Sequence, residues 1–138
     1  MRARPVALGV VTAVAIWLTG CGLNIQSPDL FVLTRTGQGP KLTMLVNDSG
    51  TISCDGAKPK PISDARLIQA RDLSDDLVKD ASHNLTIASE PGTIYYYRIR
   101  VQQGTVSFPD RAAPGHKELE EAELFAAQAA TQACGRGG

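Results

Sequence analysis

An apolar run near the N-terminus constrains this chain more than any other feature, because it decides which residues fold and in which compartment. Two arginines in Met1-Arg2-Ala3-Arg4-Pro5 precede Val6 through Leu18, a stretch that is apolar apart from Thr12 and the small Gly9. At about 13 residues the run falls short of the roughly 20 that cross a bilayer core, so it predicts a cleavable secretory leader and not a permanent span. Its basic flank stays in the cytoplasm while everything downstream is exported.

Composition has to be read with that division in mind. The balance of 14 basic against 14 acidic residues belongs to the precursor. Residues 1–20 carry two of the arginines and the only Trp, which leaves 118 residues with 12 basic against 14 acidic side chains, a net charge of −2. Such a length supports one domain. With 20% charged and 43% apolar residues and no block of like charge, the chain fits neither a disordered acidic tail nor a basic nucleic-acid binder.

Leu18-Thr19-Gly20-Cys21 resembles the lipobox of bacterial lipoprotein precursors, an apolar residue and two small ones followed by Cys. The resemblance implies cleavage between Gly20 and Cys21, a diacylglyceryl group on the Cys21 thiol and an acyl chain such as palmitate on the new N-terminus. Each buried methylene contributes about 0.8 kcal/mol, so two or three chains anchor stably where one does not. The expected organisation is a removed signal peptide at 1–20, a lipidated tether at 21–28 and one domain at 29–138. The expected location is the extracytoplasmic face of the cell membrane. Fully extended, the seven residues from Gly22 to Pro28 would reach roughly 25 Å, which keeps the domain near the headgroups.

Once Cys21 is assigned to lipid, Cys54 and Cys134 remain as an even pair in an oxidising setting, and a disulfide between them is the expectation. The alternative is two buried free thiols. Metal ligation is disfavoured because no CxxC spacing exists and His83 and His116 stand apart.

Periodicity supplies the elements. Leu30 to Leu33 reads as a first strand closed by Gly37-Gln38-Gly39-Pro40. Leu42, Met44 and Val46 alternate in a second, and Asn47-Asp48-Ser49-Gly50 turns the chain into Thr51 to Cys54. Asp55 to Pro61, with two prolines, reads as an exposed connection outside the sheet. Ser63 is an N-cap for one amphipathic helix on which Leu67, Ala70, Leu73, Leu77 and Ala81 recur, ending near Ser82-His83-Asn84. Tyr95, Tyr97, Ile99 and Val101 alternate with Tyr96, Arg98 and Arg100 in the most strand-like segment. A turn at Gln102-Gln103-Gly104 leads to Val106 and Phe108, and an Ala-rich helix follows Pro114-Gly115. The order βββαββα predicts an α+β fold, an antiparallel sheet of four to five strands with two helices packed on one face.

Few residues point to chemistry. No GxSxG elbow accompanies the serines, Gly37-Gln38-Gly39 is too short for a phosphate loop, and the carboxylates of the last helix suit the positive end of its dipole. Asp72, Asp75, Asp76 and Asp80 are interleaved with Arg71 and Lys79 and read as a solvated face and not as a Ca²⁺ site. No enzyme activity, cofactor, metal or nucleic-acid partner is expected. The most distinctive surface is the row Tyr96, Arg98 and Arg100, which would lie on the open sheet face with the composition of a binding hot spot. Cross-strand pairing alone also accounts for such residues.

The succession Leu33-Thr34-Arg35-Thr36-Gly37, Tyr97-Arg98-Ile99-Arg100-Val101 and Val106-Ser107-Phe108-Pro109-Asp110 with a closing helix is distantly similar to emfourin-type metalloprotease inhibitors. That likeness implies an inhibitor of a secreted protease as the alternative to the main expectation. The main expectation is a non-enzymatic binding or structural module of the cell envelope, held to the membrane through Cys21 and meeting an envelope protein or polymer.

Overall fold

The computed structural model describes Ile25 and residues 28–136. The leader, Cys21 and all of the tether except Ile25 and Pro28 lie outside the described residues. Alternation builds the sheet. In β1 (Asp29–Gly37) Phe31, Leu33 and Arg35 share one face, and in β2 (Leu42–Asn47) Leu42, Met44 and Val46 share it too; all six are buried. Ile52 joins them from β3 (Thr51–Cys54). The two-residue β4 (Lys60–Pro61) pairs with β3.

Ser63 opens α1 (Asp64–Asp76), its hydroxyl accepting from the Arg66 amide at 3.2 Å. The chain bends at Leu77 into α2 (Val78–Ser82). Two further strands, β5 (Tyr95–Val101) and β6 (Gly104–Pro109), place Tyr97, Ile99, Val101, Val106 and Phe108 on the same buried face. A 3₁₀ turn (Asp110–Ala112) leads to α3 (Lys117–Gln132).

The strands lie in the order β4-β3-β2-β1-β5-β6, every neighbouring pair antiparallel. All helices cover one face, because a single apolar cluster joins the inward side chains of five strands to Ala70, Leu73, Leu77, Ala81, Leu119, Ala122, Phe125, Ala126, Ala129 and Ala130. The fold is α+β, an antiparallel sheet layered on helices. Among the described residues there are six strands where four to five were expected, and three helices where two were expected.

Both differences are local. The connection 55–61 does enter the sheet, at its edge, where Pro61 loses nothing by lacking an amide hydrogen; Ile62 then donates to the Gly50 carbonyl at 2.9 Å. The predicted single helix is interrupted at Leu77, but the Leu77 amide still bonds to the Leu73 carbonyl at 3.0 Å and the Ala81 amide to Leu77 at 2.9 Å. The apolar stripe therefore stays continuous through the bend. Asn84, in the left-handed region at φ 50°, ends α2.

The alanines of α3 let it sit close to the sheet, and Phe125 meets Phe31 edge-on with ring centroids 5.4 Å apart. Arg66 ties α1 to α3, donating to Gln128 and, at 2.8 Å, to the Gln132 Oε1. Gly104 adopts φ 153° where the β5–β6 turn passes the end of α2; a Cβ there would run into the Ala81 carbonyl oxygen. Cys54, closing β3, and Cys134, just past α3, form a disulfide with Cα atoms 5.7 Å apart across a sequence separation of 80. No helix among the described residues is long and apolar enough to cross a membrane.

Candidate functional site

Residues directly opposite in an antiparallel pair share a face, so the strand registers define the uncovered side of the sheet. One row runs Thr105, Arg100, Val32, Leu45, Ser53, and a second runs Ser107, Arg98, Thr34, Thr43. A third joins Pro109, Tyr96 and Thr36. The three predicted residues are therefore brought together at alternate positions of β5, with Arg98 exposed and Tyr96 and Arg100 half-buried.

Their roles differ. The Tyr96 hydroxyl donates to the Ile87 carbonyl at 3.0 Å, reaching the segment that seals the sheet edge. There Thr86 bridges Ser107 in parallel, the Ile87 amide donates to the Ser107 carbonyl and the Ser107 amide to the Leu85 carbonyl, both at 2.8 Å. Tyr96 is thus partly an internal fastener of β6. The side chains of Arg98 and Arg100 make no hydrogen bond or ion pair among the described residues, and the residues opposite them across the ladders are Thr34, Val32, Ser107 and Thr105.

The carboxylates outside the helices are engaged elsewhere. Asp48 pairs with Arg71 at 2.6 Å, Asp55 with Arg136 at 2.6 Å and Glu90 with Arg111 at 3.4 Å. Asp110 accepts from the Ile94 and Tyr95 amides at 3.2 Å each, and Asp29 from Asn47 at 2.9 Å. The helices carry nine carboxylates against four basic side chains. Among the described residues the rest of the domain carries eight basic side chains against five acidic ones. The domain is electrically polar, with a helix layer near −5 on one side and two uncompensated arginines on the other.

A second cluster lies on the covered face, at the sheet end where β1 leaves and β5 begins, and sequence reasoning missed it. Arg35 is only 7% exposed, its guanidinium 4.6 Å from the centroid of the Tyr95 ring. Tyr97 stacks on Phe108 with centroids 5.3 Å apart. Burial, followed by the charge of Glu123, pushes the Tyr97 hydroxyl up to about 12. On α3, Glu123 has one buried carboxylate oxygen with no partner among the described residues. Burial first, then the charges of Asp110 and Glu120, raises its carboxyl to about 7. The signal for both residues was available. Arg35 continues the 31, 33 alternation of β1, and Glu123 falls on the helical stripe 119, 123, 126, 130.

On the helices, Asp76 is 3.2 Å from Lys117, which also meets Glu121 at 3.1 Å. Among the described residues no set of three His, Cys, Asp or Glu side chains is grouped closely enough to hold a metal ion. His83 lies on the surface, its Nδ1 2.9 Å from the Lys79 carbonyl. Cys21 lies outside the described residues. No family model, no curated protein and no solved structure matches this chain.

Proposed function

We propose that this chain is the precursor of an extracytoplasmic lipoprotein, anchored to the cell membrane through acylated Cys21, whose domain is a non-enzymatic binding or structural module of the envelope. The Cys54–Cys134 disulfide supports the compartment, since such bonds persist where the surroundings are oxidising. The observation that carries the function is the pair Arg98 and Arg100, held at alternate positions of β5 between β1 and β6 and without a carboxylate partner among the described residues. Guanidinium groups presented this way suit an anionic or hydrogen-bond-accepting partner.

Replacing Arg98 and Arg100 by Gln removes the charge and leaves Tyr96 to hold the edge segment. Incubated with solubilised envelope, the wild-type lipoprotein is expected to retain a component that the double variant releases, while both keep the same far-ultraviolet circular dichroism and unfolding midpoint. Identical recovery from two equally folded proteins would sink the assignment of this face. An unprocessed precursor in cells carrying Cys21→Ala, with an acylated Cys21 in the wild type by mass spectrometry, tests the anchor.

A further inference from the structure

The same face has a partner closer than any soluble one. Resting on the lipoprotein reading above, we infer that the open sheet face docks onto the anionic phospholipid surface of the membrane that holds the anchor, so that the helix layer faces away from the bilayer.

Three observations converge. The first is charge complementarity across the domain, with Arg98 and Arg100 lacking an ion-pair partner among the described residues on one side and nine carboxylates against four basic residues on the helices. An anionic surface attracts the first and repels the second. The second is where the chain enters. The Pro28 carbonyl is held by the Asp48 amide at 2.7 Å, and β1 starts at Asp29 beside β2. Arg100 is opposite Val32 and Arg98 opposite Thr34, which places them about 10 Å and 17 Å along β1 from that entry point at 3.3 Å per residue.

The third is reach. Seven residues separate Cys21 from β1, a span of at most roughly 25 Å, so both guanidinium groups can meet headgroup phosphates while the lipid stays inserted. The row residues Thr34, Thr43 and Thr105 are polar enough to lie against headgroups without entering the hydrocarbon. Each arginine near an anionic surface favours the docked orientation about fivefold, and two together about thirtyfold.

The experiment uses the mature acylated lipoprotein reconstituted in vesicles. A fluorophore is placed at Thr36→Cys on the open face or at Leu124→Cys on the outer side of α3, where Leu124 is 51% exposed, with nitroxide carried on lipid headgroups as quencher. On vesicles containing phosphatidylglycerol, the Thr36 label should be quenched far more than the Leu124 label. The preference should fade in high salt, on pure phosphatidylcholine, and by about thirtyfold in the Arg98→Gln, Arg100→Gln variant.

Equal quenching of the two labels on anionic vesicles overturns the inference, and so does a preference that survives neutral lipid or the double substitution. Retention of an envelope polymer or protein through Arg98 and Arg100 with the sheet face turned away from lipid overturns it in favour of that partner and leaves the binding-module reading standing. A mature N-terminus without acyl chains removes the anchor and the docking together.

Discussion

Glu123 makes the stability of this domain depend on pH in a direction opposite to most carboxylates. Its carboxyl is raised from 4.5 to about 7 in the folded chain, because one oxygen is buried without a partner and Asp110 and Glu120 add negative charge nearby. Tyr97 of β5 lies within range of the Glu123 charge, and the buried Arg35 of β1 stands against the Tyr95 ring. A group whose folded value lies above its unfolded one binds its proton more tightly when folded. Its contribution is fully present below about pH 4.5 and is lost as pH rises through 7. The full shift corresponds to about 3 kcal/mol. Glu123 keeps some contact with solvent, which reduces the working figure to about 2 kcal/mol. Glu123→Gln keeps the volume and removes the ionisation. Urea unfolding of the disulfide-intact protein at pH 5 and pH 8 reads the difference. Close to the midpoint of wild type at pH 5, the variant should exceed it at pH 8 by about 1 M urea, taking a slope of about 2 kcal/mol per molar. Groups other than Glu123 titrate alike in both proteins and cancel. Parallel pH responses in wild type and variant would show that Glu123 ionises freely and that the burial argument is wrong.

Two further outcomes concern the frame of the site. Opening the Cys54–Cys134 bridge, either by reduction or by the paired change Cys54→Ser and Cys134→Ser, should cost about 4 kcal/mol on the chain-entropy model for a loop of this length; an unchanged urea midpoint would contradict the constraint attributed to it. Tyr96→Phe removes the hydrogen bond to Ile87 and should cost about 1 kcal/mol, with amide exchange quickening at Ile87 and Ser107. Unaltered protection of those two amides would mean that the hydroxyl does not fasten the edge.

How much of this was legible in the sequence follows from the range of each signal. Period-two alternation placed Met44, Val46, Tyr97 and Ile99 on the covered side because a strand with one buried face records its orientation in every second residue. The same rule put Arg98 and Arg100 together on the open side. The cap at Ser63 and the hairpin at Asn47 to Gly50 are equally local, and each formed where its own residues predicted it. The unread features need information from across the sheet. Lys60-Pro61 has no strand character and pairs only because β3 offers an edge, and Leu85 to Ile87 is drawn alongside β6 by the amide and carbonyl of Ser107. Tyr96 looked like part of a free row until the path of residues 84–90 brought the Ile87 carbonyl within reach of its hydroxyl. Arg35 and Glu123 are the instructive pair, since the first strand reads only as far as Leu33 and the α3 carboxylates only as partners of the helix dipole, although both residues keep the period of their apolar neighbours. Arg35 is accommodated by an aromatic ring. One oxygen of Glu123 is buried without a donor among the described residues, and burial in that position is what raises its carboxyl toward neutral pH. A charged residue that keeps the register of an apolar stripe therefore has to be weighed as a covered group before it is read as a solvated one, and Glu123 is the position whose substitution reports most directly on whether this packing is correct.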